Sequence, residues 1–123
     1  MKGLRLIFMI LVIQVSFLLN ASAQRQFRAL VVTTTKGWHH ESVHAGFLAL
    51  KEMGVKNFFD VVLMENPNGF DDKVLEQFQV VIFLNTTGDI FNEQQQKSME
   101  KFIQSGKGFV GVHSASDTEY DWP

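Results

Sequence analysis

The sequence predicts an α/β protein: a parallel sheet with helices on both faces. Three observations carry that expectation. Short apolar runs alternate with amphipathic segments in the order β-α-β-α-β-α-β. The runs are apolar almost without a break, as in strands buried on two sides. The connections between them are long enough for right-handed crossover helices.

The elements follow in order. Phe27 to Thr35 ("FRALVVTTT") is the first strand, rich in β-branched residues. "HESVHAGFLALKEMG" reads as a helix, with Val43, Phe47 and Leu50 on one stripe and Gly54 as its C-cap. Asn57 to Glu65 is the second strand, and "NPNG" is a turn. Asp71 to Phe78 is a short helix whose acidic start suits the helix dipole. Gln79 to Thr86 is the third and most hydrophobic strand. Asn92 to Gly106 is the clearest helix: Asn92 caps it, Met99, Phe102 and Ile103 face the core, and Gly106 ends it. Gly108 to Ser114 is the fourth strand. After it comes "SASDTEYDWP", with no helix to close the unit, which predicts a fragment of a longer reading frame.

The first residues are a separate object. Lys2 and Arg5 precede an apolar run from Leu6 to Leu19, and Ala21-Ser22-Ala23 follows as a small-x-small cleavage site. The run is shorter than the roughly 20 residues a membrane span needs, so residues 1–23 are expected to be a cleaved signal peptide rather than a stable anchor. The mature protein would be periplasmic or secreted. The chain has no cysteine, which removes disulfides and thiol nucleophiles together. Its formal charge is −2 and no basic stripe is visible, so nucleic acid is not an expected partner.

In an open parallel sheet, ligands bind beyond the carboxyl ends of the strands. That rule selects three loops: "TKGWHHES", "NTTGD" and "HSASDT". The first contains His40-Glu41-Ser42-Val43-His44, which matches the H-E-x-x-H of zinc peptidases. The extended metal motif fails, because Phe47 and Leu50 stand where it needs glycine and histidine. Glu65 could supply a third ligand only from the end of a strand. The pattern therefore divides into a loop residue, His40, on the crevice side, and a helix residue, His44, that is solvent-facing or half-buried and incidental to the site. No metal ligand set and no cofactor are assigned.

"GFVGVHSAS" has the shape of a strand-to-helix elbow, in which a sharp turn presents one side chain above the sheet. The elbow residue is His113, suited to acid–base work or to polarising a ligand. Ser114 is a rival nucleophile without an assignable base. Asp117 could orient His113 or bind a polyol. In the middle loop, Asn85 and Thr86 offer short donors and acceptors, and Gly88 would let backbone approach a ligand.

"ALVVTTTKGWHHESV" and "FQVVIFLNTTGDIFNEQQQKSMEKFIQSGKGFVGVHSASDTEYDWP" together resemble the ThuA-like, or trehalose-utilisation, family from about Arg28 to the last residue. Gln79 and Lys107 stand where that family often has Asp and Gly, and His39 where it often has Arg. The resemblance implies a flavodoxin-like, class I glutamine amidotransferase-like three-layer sandwich, with His at the elbow in place of the catalytic Cys. It therefore implies no glutaminase activity. It further implies a role in the metabolism of trehalose and related disaccharides, including keto-sugars. The family domain is about twice this length, still an ordinary single-domain size, so residues 24–123 would be its N-terminal part.

Two readings of function follow. In the first, the protein is an exported enzyme or enzyme component acting on a small carbohydrate. His113 would be catalytic, His40, Asn85, Thr86 and Asp117 would hold hydroxyls, and Trp38 or Trp122 would stack on a sugar face. In the second, it is a non-catalytic sugar-binding or scaffold domain. A metal-dependent hydrolase using His40 and His113 is a weaker third.

Overall fold

A computed structural model describes residues 25–122. The expected leader, residues 1–23, lies outside the described residues. Among the described residues no helix is long and apolar enough to cross a membrane.

The elements are β1 (Arg28–Val32), α1 (Val43–Lys56), β2 (Asp60–Met64), a 3-10 turn (Pro67–Gly69), α2 (Asp72–Leu75), β3 (Val80–Leu84), α3 (Glu93–Gln104), β4 (Gly108–Val112) and a second 3-10 turn (His113–Asp117). The strands form one parallel sheet in the order β2-β1-β3-β4. The chain moves from β1 to one side, then crosses back to build the other side. The switch point therefore lies between β1 and β3, the position at which open parallel sheets bind their ligands.

The unbroken apolar runs have the expected cause. Leu30, Val32, Val81 and Phe83 face α2 and α3 and pack with Phe70, Leu75, Phe91, Met99 and Phe102. Ala29, Val31, Ile82 and Leu84 face α1 and pack with Phe47 and Leu50. Successive strand residues alternate faces, and here both faces are covered. Each fully buried Val, Leu or Phe contributes about 1.5–3 kcal/mol relative to exposure.

The caps explain where the helices start. Asn92 Oδ1 accepts from Gln95 N at 3.0 Å, and Gln95 Oε1 accepts from Asn92 N at 2.9 Å, a reciprocal capping box for α3. Asp71 caps α2 by accepting from Val74 N at 2.8 Å.

Three expectations are corrected. Gly54 does not end α1, which continues to Lys56. Instead Gly54 is buried where the chain turns back into β2, and a Cβ there would lie 2.6 Å from the Phe59 carbonyl oxygen. Helix α2 is a single turn rather than an eight-residue helix, because the chain leaves it at Glu76 to bury Phe78. Ile103 does not reach the core: it is 41% exposed and lines an apolar groove with Phe109 and Trp122. At the edge of the sheet, β4 leaves Phe109 and Val110 about half exposed, at 48% and 46%.

Candidate functional site

The three predicted loops meet at the switch point, and backbone pairing fastens them together. Thr35 and Thr87 form a parallel bridge, and Gly88 and Thr118 form another, so the sheet continues past its strands. Lys36 N donates to Thr87 O at 2.7 Å, and Thr87 Oγ1 donates to Trp38 O at 2.9 Å. Gly88 N donates to Asp117 O at 2.8 Å, and Glu119 N returns a bond to Gly88 O at 3.2 Å. Gly88 has φ +73, and a Cβ there would meet Lys36 Cβ at 3.0 Å and Gly37 N at 3.1 Å. Only glycine tolerates both the conformation and the crowding.

The middle loop is turned inward. Asn85 is 4% exposed; its Nδ2 donates to Ser42 Oγ at 2.8 Å, joining the loop to the start of α1. Thr86 is fully buried and its Oγ1 pairs with Thr118 Oγ1 at 2.8 Å. The side chains of Asn85 and Thr86, and the backbone of Gly88, thus hold one loop to the next.

The outer loops present side chains to solvent. Trp38 is 76% exposed. His40 precedes the helix, whose N-cap is Ser42, whereas His44 sits in its first turn and is exposed. The H-E-x-x-H pattern therefore does not lie within one helix. Val112 is extended, and His113 then turns sharply into the left-handed region at φ +53. A non-glycine residue there is strained by about 1–3 kcal/mol, and such strain concentrates at functional sites. The turn is tight enough that a Cβ on Gly111 would lie 3.2 Å from Ala115 Cβ. It passes into a 3-10 turn rather than the α-helix of the usual elbow. At its tip the His113 ring meets His40 edge to face, with ring centroids 4.6 Å apart at 74°. The structure thus brings together the two histidines from separate loops.

Other candidates are placed elsewhere or otherwise engaged. Asp117 accepts a hydrogen bond from the Tyr120 hydroxyl. That bond, with burial adding to it, holds the Tyr120 phenol above its ordinary pKa. Trp122 packs against the α3 side of the core and donates from Nε1 to Glu100 Oε1 at 2.9 Å. The two tryptophans therefore do not share a site. Among the described residues no group of three or more His, Cys, Asp or Glu is placed to hold a metal.

One residue central to the site escaped the sequence reading. Glu119 is buried, at φ +62, and its Oε1 accepts from Ile90 N at 2.6 Å and Phe91 N at 2.7 Å. Its Oε2 accepts from Gln96 Nε2 at 2.7 Å. It pins the last loop to the segment entering α3. Nothing in "SDTEYDW" marks this carboxylate as different from its acidic neighbours, because its partners lie more than 20 residues away in the chain.

Fold and site together define an α/β protein with a parallel sheet and a histidine at the elbow that follows its fourth strand. The family model for trehalose utilisation, ThuA, matches residues 28–123, and the chain belongs to that family. Among solved structures it is similar to a protein from Bacteroides uniformis ATCC 8492 described as ThuA-like, at 22% identity and a TM-score of 0.62. That match covers 85% of this chain and 43% of the other, so this chain spans less than half the length of its structural relative. At that identity the likeness speaks to the fold. No curated protein matches the chain.

Proposed function

We propose that this chain is an exported protein of carbohydrate metabolism that acts on a trehalose-type disaccharide or its keto-sugar form, with His113 as the acid–base or ligand-polarising residue. One observation carries the reading: a strained elbow after β4 presents the His113 ring against His40 of the loop after β1. A positioned general acid or base contributes about 10²–10⁴-fold where it meets a reacting hydroxyl or carbonyl. The exposed Trp38 ring supplies a stacking face for a sugar. Export rests on the leader expected over residues 1–23. Glutamine hydrolysis is not part of the proposal, since the chain holds no thiol nucleophile. The test is turnover of disaccharides and their 3-keto forms by the wild type and by His113→Ala. Equal rates would remove His113 from the mechanism.

A second reading has its own support. Asp117, the residue expected from the sequence to orient His113, accepts instead from the Tyr120 hydroxyl. A domain that binds sugar without turning it over fits that arrangement. Calorimetric binding of a disaccharide, with no product under any cofactor condition, would favour it over the enzyme.

A further inference from the structure

On the side of the Thr35–Thr87 bridge that faces α3, a cleft of about 580 Å³ opens over the ends of β1 and β2. It shares no lining residue with the histidine pair. Its buried lining is mixed: Pro67 and Phe91 are apolar, Thr34 and Gln95 are polar, and Gln95 Nε2 donates to the Pro67 carbonyl. Its rim is polar and exposed, with Lys36 on one side, Glu65 and Asn68 at the end of β2, and Asp89 opposite. Lys36, Glu65 and Asp89 enter no ion pair among the described residues. The volume suits a disaccharide-sized ligand, within the range of about 300–1,000 Å³ usual for such sites.

The chemistry of the cleft narrows what it takes. Among the cleft-lining residues at the start of α3, the backbone donors are already used: Ile90 N and Phe91 N by Glu119, Asn92 N by Gln95 Oε1, and Gln95 N by Asn92 Oδ1. Two carboxylates against one ammonium also disfavour a phosphate. A cationic ligand would meet Lys36. A neutral ligand rich in hydroxyls satisfies all three charged groups, because hydroxyls donate to carboxylates and accept from an ammonium.

We propose that this cleft is a second binding site, for a neutral polyol or sugar, in which Glu65 and Asp89 accept hydroxyl hydrogen bonds, Lys36 and Asn68 donate, and Pro67 and Phe91 supply the apolar contact. The carbohydrate reading of the first site enters only in the choice of trehalose as probe.

The test is an amide-resolved NMR titration of the full chain with trehalose and, in parallel, with trehalose 6-phosphate. Amides of Lys36, Asn68 and Asp89 should shift with trehalose in the wild type and equally in His113→Ala. Glu65→Gln, an isosteric change at an exposed residue, should weaken those shifts about tenfold, as loss of a charged hydrogen bond predicts. Asp89→Asn keeps the Oδ1 that accepts from Tyr120 N, so it should weaken binding without unfolding the loop. Shifts confined to His40 and His113 would overturn the second site and leave the first standing. Shifts in the cleft alone would support the second site and count against the first. Tighter binding of the phosphorylated sugar in the cleft, or no cleft response to trehalose, would overturn this proposal.

Discussion

The loops leaving β1 and β3 run side by side, equally rich in polar residues, and do opposite things. In the loop after β3, Asn85, Thr86 and Thr87 are 4%, 0% and 1% exposed, and each side chain is paired within the protein. In the loop after β1, Trp38 is 76% exposed and His40 reaches across only to another imidazole. Short polar side chains satisfy neighbouring backbone and hydroxyls, so they serve as stitching. The longer Trp38 and His40 side chains extend past that stitching, to solvent and to His113. Polarity alone does not tell a ligand-facing loop from a structural one; side-chain reach and the number of internal partners do.

That contrast can be broken by experiment. The largest effect is expected on the outer lip: His113→Ala should cut turnover of the disaccharide or keto-sugar by about 10²-fold or more while leaving the urea midpoint close to wild type. Alanine keeps the left-handed strain, so no stabilisation should accompany the loss. A variant that loses activity and unfolds together would show that the elbow is structural.

The stitched side should behave in the reverse way. Glu119→Ala strands Ile90 N and Phe91 N and should cost about 3 kcal/mol in denaturant unfolding, with any activity loss following instability. Thr86→Val removes one buried hydroxyl pair and should cost about 1 kcal/mol on the same measurement. An unchanged midpoint in both variants would mean that the inner loop is free to face ligand.

The smallest effect lies away from both loops, where Lys101 Nζ and Asp72 Oδ2 join α3 to α2 at 2.5 Å. The hydrogen bond from Lys101 holds the Asp72 carboxyl below its ordinary pKa, and the same bond holds the Lys101 ammonium above its own. The carboxylate therefore stabilises the fold above the ordinary carboxylate range, and that contribution disappears as pH falls through the lowered value. Lys101 contributes below its ordinary value and loses that contribution as pH rises through its raised one. Both groups are solvent-exposed, so Asp72→Asn should shift the thermal midpoint slightly at neutral pH and not at all in strong acid. A large shift would mean that α2 depends on this pair more than on Leu75 and Phe78.

Much of the fold was legible because its signals are local. The apolar runs gave all four strands to within a few residues, and Asn92 and Gly106 bracketed α3 as its cap chemistry requires. Gly54 misled because a glycine near a helix end has two explanations, a cap or a close approach. The carbonyl of Phe59, pressed against it, selects the second. Ile103 followed the helical stripe, but whether a stripe is covered depends on what packs over it.

By itself, the sequence determined the alternation of strands and helices, the parallel sheet that alternation requires, and the histidine at an elbow after the fourth strand. Each follows from residues within one turn or one strand of each other, where propensity and spacing act directly. Only the tertiary structure decided that His40 meets His113, that Asn85 and Thr86 turn inward, that Trp122 joins the α3 side, and that Glu119 anchors the last loop. Those outcomes depend on partners tens of residues apart. The strand order β2-β1-β3-β4 brings those partners within hydrogen-bond reach, and no local pattern encodes it.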